Sequence, residues 1–172
     1  MNKSKPSFEM RYLSPSQQAH VTADEHKARF YWHEAMENGR HAYRLRRIQQ
    51  ARLYFGAAFE TALIRIRHPD NNGDWDGINI LHLVSATRQL ADVLCELKDF
   101  DGAEKYLSLT HSCLLVHVND DNFNGDIRGE CIVLVDEFMN RLIRLLERRN
   151  NVEVSEMQIE REGKMAQVQF AH

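Results

Sequence analysis

The sequence predicts an all-α protein of about five helices packed as antiparallel hairpins. Three observations carry that prediction. Apolar residues recur at intervals of three and four over most of the chain, the period of a helix with one buried face. Only 3 prolines and 8 glycines interrupt 172 residues, too few for a chain built on turns. The polar, Gly-bearing breaks fall between the periodic stretches, at 38–39, 68–77 and 119–126.

Residues 1–21 are polar, contain Pro6 and Pro15, and show no sustained period, so they read as a flexible arm. A helical domain over 22–150 follows. Its first helix is expected over 22–39, with Ala28, Tyr31, Trp32 and Ala35 on the apolar side and Gly39 as its stop. The second is expected over 40–67, carrying Tyr43, Ile48, Ala51, Phe55, Phe59 and Leu63 inward. Gly56 in its middle marks a kink or a close crossing. His68 and Pro69 end it. The third and fourth helices, 78–97 and 100–118, meet across a very short turn, with Asp99 as N-cap of the fourth. The fifth, over 127–149, has a near-heptad stripe at Cys131, Leu134, Val135, Phe138, Leu142, Leu145 and Leu146, which offers a seam for a homodimer. Beyond it the period changes. Val152 and Val154, Met157 and Ile159, and Ala166, Val168 and Phe170 alternate around Glu162-Gly163, the pattern of a β-hairpin in a tail over 151–172.

Composition removes several classes of function. The hydrophobic share of 43% with 27% charged residues is that of an ordinary folded chain. A net charge of −3 argues against a general nucleic-acid binder. No apolar run approaches the roughly 18 residues a membrane helix needs, so no membrane insertion is expected. The N-terminus lacks a signal-peptide core, and a cytoplasmic location follows by default. Cys95, Cys113 and Cys131 form no CxxC pair and read as small buried hydrophobes.

Residues 90–110, LADVLCELKDFDGAEKYLSLT, carry a family resemblance. Leu90, Ala91 and Leu94 in the first helix, Lys98 at the turn, Asp99 and Phe100 after it, then Ala103 and Leu107, resemble one tetratricopeptide repeat (TPR), a helix–turn–helix unit. An offset of 49 residues superposes Leu83 on Ile132, Leu94 on Ile143 and Leu97 on Leu146. That is longer than the TPR period of about 34 and resembles the long-loop, kinesin-light-chain-like variant. The resemblance implies a right-handed superhelix whose first helices line a partner-binding groove. Carried onto this chain, the groove residues are Ser85, Arg88, Asp92 and Glu96 on the third helix and Glu137, Arg141 and Arg144 on the fifth. On the first helix the same register points to His26, Arg29 and His33. A solvated polar face is the alternative for all of them.

Other chemistry finds little footing. The loops containing Asn72, Asp74, Asp76 and Gly77, and Asp120, Asn122, Asn124 and Gly125, begin like EF-hand calcium loops. The bidentate carboxylate required at position 12 is replaced by Leu83 in one and Cys131 in the other. His33 and Glu34 open an HExxH pattern, but Glu37 stands where the second His belongs, so no metal site is expected. There is no GxSxG, no GxxxxGK[ST] and no GxGxxG, so no enzyme and no cofactor are expected. Arg40, Arg44 and Arg47, at i, i+4 and i+7, make the strongest basic feature, in the run 40–52. It offers an alternative function in nucleic-acid or phosphate-ligand binding. The main expectation is a non-catalytic protein-interaction scaffold, an adaptor or chaperone-like regulator that binds a partner segment in a helical groove.

Overall fold

The computed structural model describes the backbone of residues 9–68, 76–119 and 125–169; side chains are described for these except 76–78 and 152–169. The described residues form six α-helices and no strand: α1 (Pro15–Ala23), α2 (Glu25–Arg44), α3 (Ile48–Arg67), α4 (Asp76–Glu96), α5 (Phe100–Val118) and α6 (Gly125–Gln169). Each of α2 to α6 packs mainly on its neighbour in the chain, and α1 lies against α2 and α3. Contacts of this kind make a stack rather than a closed bundle. Side-chain bridges join α2 to α4 and α4 to α6, so these three helices share one layer, with α3 and α5 in the other. One core runs through the stack, from Met36 and Phe55 through Leu90 and Leu94 to Phe138 and Leu145.

Two hairpins share one turn. After α2 the Arg46 backbone takes φ 59°, its N–H donates to the Tyr43 carbonyl at 2.9 Å, and the Arg47 N–H donates to the Ala42 carbonyl at 2.9 Å. After α4, Lys98 takes φ 59°, donating to the Cys95 carbonyl at 3.2 Å, while the Asp99 N–H reaches the Leu94 carbonyl at 2.9 Å. Both are Schellman closures, which satisfy the last carbonyls of a helix. Arg46 and Lys98 stand 52 residues apart. Asp99 then caps α5 through the Gly102 N–H at 2.9 Å, as expected.

The turn at Arg46 corrects two helix boundaries. The expected helices over 22–39 and 40–67 are α2, running past Gly39 to Arg44, and α3, starting at Ile48. Gly39 is a packing residue, not a stop: a Cβ there would lie 2.6 Å from the Phe55 ring. The apolar pattern runs unbroken through Leu45, and Arg46 carries no turn signature, so the sequence hid the break.

The flexible arm is also corrected over its described part. Ser14 and Gln17 form a capping box that starts α1 at Pro15. Just before it, the fully buried Glu60 of α3 accepts the N–H groups of Arg11 (2.5 Å), Tyr12 (3.0 Å) and Leu13 (2.8 Å). Tyr12 lies over Gly56, where a Cβ would sit 2.4 Å from the ring. Gly56 is therefore the close crossing, made with the N-terminal segment. Arg65, also buried, donates to the Thr22 carbonyl at 3.2 Å and pairs with Glu25 at 3.9 Å, anchoring the far end of α1. Residues 1–8 lie outside the described residues.

The β-hairpin expected in the tail is replaced by helix: α6 is continuous to Gln169. The segment is rich in Glu, Gln, Met, Lys and Arg, all strong helix formers, and contains no proline. Alternation of apolar residues cannot impose strands where no sheet offers an edge. Residues 69–75 and 120–124, with most of the two calcium-like loops, fall outside the described residues. Their position-12 residues, Leu83 and Cys131, are fully buried in the core.

Candidate functional site

The α4–α6 interface opens into a cleft of about 700 Å³. Its floor is apolar, from Ala91 and Cys95 of α4, Leu107 of α5 and Leu145 of α6. The walls are charged: Asp92 on one side, and Asp136, Glu137, Arg141, Arg144 and Arg148 on the other. The helical period explains the grouping, since Glu137, Arg141, Arg144 and Arg148 follow i, i+4, i+7 and i+11 along one edge of α6.

Salt bridges tie the two walls together at one end. Arg88 grips Glu137 with a two-pronged contact, Nε to Oε1 at 2.9 Å and Nη2 to Oε2 at 2.5 Å. Arg141 donates to the same Oε1 at 3.0 Å and reaches Asp92 across the cleft at 3.5 Å. The Arg88 hydrogen bond, with Arg141 beside it, holds the Glu137 carboxyl below its usual range. Facing residues in both bridges are 49 apart, the offset found in the sequence. Arg144 and Arg148 make no ion pair among the described residues and remain exposed on the cleft wall. They are the groups left over to meet an incoming anion.

The expected groove residues divide accordingly. Asp92, Glu137, Arg141 and Arg144 line the cleft, and Arg88 braces it. Glu96 accepts a hydrogen bond from the Tyr43 hydroxyl of α2, which raises the Tyr43 pKa and places Glu96 at the α2–α4 junction. Ser85 is half-buried and does not line the cleft. On α2, His33 meets Trp32 and His82 edge-on, with Trp32 and His82 stacked at 3.9 Å; Arg29 lines a small crevice beside them, and His26 is exposed. Burial lowers the His82 pKa to about 4. The sequence reading missed Asp136, Asn140 and Arg148; extending the spacing of Arg141 and Arg144 by one turn reaches Arg148.

The basic face is divided by the turn at Arg46. Arg40 pairs with Glu37 at 2.5 Å, Arg44 ends α2, and Arg47 opens α3 across the turn. Arg40 and Arg44 keep one face of α2 at i and i+4, and only the addition of Arg47 required a helix uninterrupted at 45–47. All three cysteines are free, and burial raises each thiol pKa. No cluster of three or more His, Cys, Asp or Glu side chains able to hold a metal occurs among the described residues. Among them, too, no helix is long and apolar enough to cross a membrane.

The fold and cleft thus define a helical stack of chain-neighbour hairpins with a charged, apolar-floored groove. The chain belongs to the family described as Protein of unknown function (DUF2753), whose model matches residues 31–171. No curated protein and no solved structure matches it.

Proposed function

We propose that this protein is a non-catalytic adaptor of TPR-like architecture that holds a partner polypeptide segment in the α4–α6 cleft. The observation that carries the reading is the cleft itself, an apolar floor below two unpaired arginines, Arg144 and Arg148. Such a surface suits an extended or helical segment with an apolar side chain for Leu107 and Leu145 and a carboxylate for the arginines. The shared turn geometry supports the architecture. Gly39, Ala51, Phe55 and Ala58 of the first hairpin stand 52 residues before Ala91, Ala103, Leu107 and Thr110 of the second, the small–small–large–small series of a TPR unit. The three free cysteines fit a reducing compartment such as the cytoplasm. The nucleic-acid alternative has less to stand on, since the turn at Arg46 separates Arg47 from Arg40 and Arg44, which share a face of α2.

The test is photo-crosslinking in cells from a reactive side chain at Asn140, inside the cleft, against one at Ser108 on exposed α5. A protein captured from Asn140 alone, and lost in Arg144→Glu/Arg148→Glu, is the expected result. Equal capture from both positions, or capture indifferent to the arginines, would overturn the cleft reading.

A further inference from the structure

The outer side of α6, away from the cleft, is an apolar face that stays exposed among the described residues. Ile132, Met139, Ile143 and Leu146 recur at helical spacing and are 54%, 44%, 47% and 38% exposed. Fifty-two residues earlier, the interval between the two turns, α4 carries Ile80, Thr87, Ala91 and Leu94, none more than 3% exposed. There α5 packs on α4, and the Thr87 and Thr110 hydroxyls meet at 2.7 Å. By this register α6 is the first helix of a third hairpin, without its second helix in place.

The chain contains a segment that fits the vacancy. Asn150 follows Lys98 by the same 52 residues by which Lys98 follows Arg46, and both earlier residues hold φ 59°. Asparagine enters that left-handed conformation more readily than lysine or arginine. Residues 152–169 match the 19-residue α5 and 20-residue α3 in length to within two residues. At the same interval, Ser155, Ile159 and Ala166 follow Ala103, Leu107 and Leu114. The family match runs to residue 171, so this segment lies inside the shared unit. Among the described side chains, the last anchor of α6 on the body is Arg149, which meets Asp101 at 3.3 Å and Glu104 at 3.0 Å, immediately before Asn150.

We propose that α6 breaks at Asn150 and Asn151, and that 152–169 folds back as the second helix of a third hairpin, covering Ile132, Met139, Ile143 and Leu146. The continuous helix is the open arrangement, in which 152–169 extends away from that face. The closed arrangement completes the stack with the chain's own C-terminal segment, independently of whatever occupies the cleft on the other side of α6.

Distance decides the matter. A donor and an acceptor dye attached through azide-bearing residues at positions 130 and 167 of the full chain would be about 56 Å apart along a continuous helix. In a closed hairpin, with helix axes about 8–10 Å apart, they would fall to about 15 Å. The expected result is a short distance in dilute, monomeric protein, lengthened by Ile143→Glu and, as a second disruption, by Asn150→Ala/Asn151→Ala. Because Ile143 and both asparagines are exposed, these variants leave the core intact. A long distance in the unsubstituted chain overturns the proposal. Energy transfer only between separately labelled chains overturns it in favour of a second copy on this face. A short distance indifferent to Ile143→Glu overturns the assigned docking face.

Discussion

At the scale of single residues, Glu60 does the most unexpected work. A carboxylate at 0% exposure is ordinarily costly, and here it is matched by three convergent backbone N–H groups. Those N–H groups belong to residues 11–13, which have no helix of their own to satisfy them. Glu60→Gln keeps one acceptor oxygen and turns the other position into a donor facing N–H groups. A loss of about 2–3 kcal/mol is expected. Amide exchange is the measurement: protection at Arg11, Tyr12 and Leu13 should fall far more than in α4 to α6. A uniform loss along the chain would refute the tethering role. This contact was not legible in the sequence, because Glu60 sits among apolar neighbours and its partners lie 47 to 49 residues away.

At the scale of elements, the two turns set the architecture. Both place a long basic side chain in the left-handed region, where a non-glycine residue costs about 1–2 kcal/mol. Lys98→Gly and Arg46→Gly should each stabilise the protein, by about 0.5–1 kcal/mol once the added freedom of the unfolded chain is deducted. Urea unfolding measures it; destabilisation would mean that the Lys98 or Arg46 side chain makes contacts worth more than the strain. The second hairpin was legible because Asp99 and Gly102 mark a helix start after Leu97. The first was not, since Leu45, Arg46, Arg47 and Ile48 continue a helical pattern and no side chain caps α3. The same blindness merged α2 with α3 and aligned Arg47 with Arg40 and Arg44, from which the turn separates it. The alternating tail was misread for the complementary reason: period-2 spacing is a strand signal only where a partner strand is available.

At the scale of the whole molecule, the hairpins are held to one another by side chains bridging α2 to α4 and α4 to α6. The Trp32–His82 stack is the first of these joints, and its chemistry makes the stack sensitive to acid. Burial favours the neutral His82 ring, moving its pKa from 6.5 to about 4. The sign follows from a folded-state pKa below the unfolded one. The contribution is fully present above pH 6.5 and is lost as pH falls from there towards 4, because protonation favours the unfolded chain. The upper limit is about 3 kcal/mol, reduced by the partial solvation of the ring. Replacing His82 with glutamine should flatten the dependence of unfolding free energy on pH between 6.5 and 4. An unchanged slope would exclude His82 as its source.

The sequence alone determined that this is a helical chain and where α4 and α5 meet. Those conclusions rest on period and local turn chemistry, which act over a few residues. Only the tertiary structure decided that Arg88 and Arg141 are committed to Glu137 and Asp92, leaving Arg144 and Arg148 open in the cleft. It alone decided that Glu60 holds the N-terminal segment, and that among the described residues the outer face of α6 is exposed while the matching face of α4 is buried. These outcomes depend on groups brought together from distant parts of the chain. A helical period states which side of a helix is apolar, and packing alone states what, if anything, lies against it.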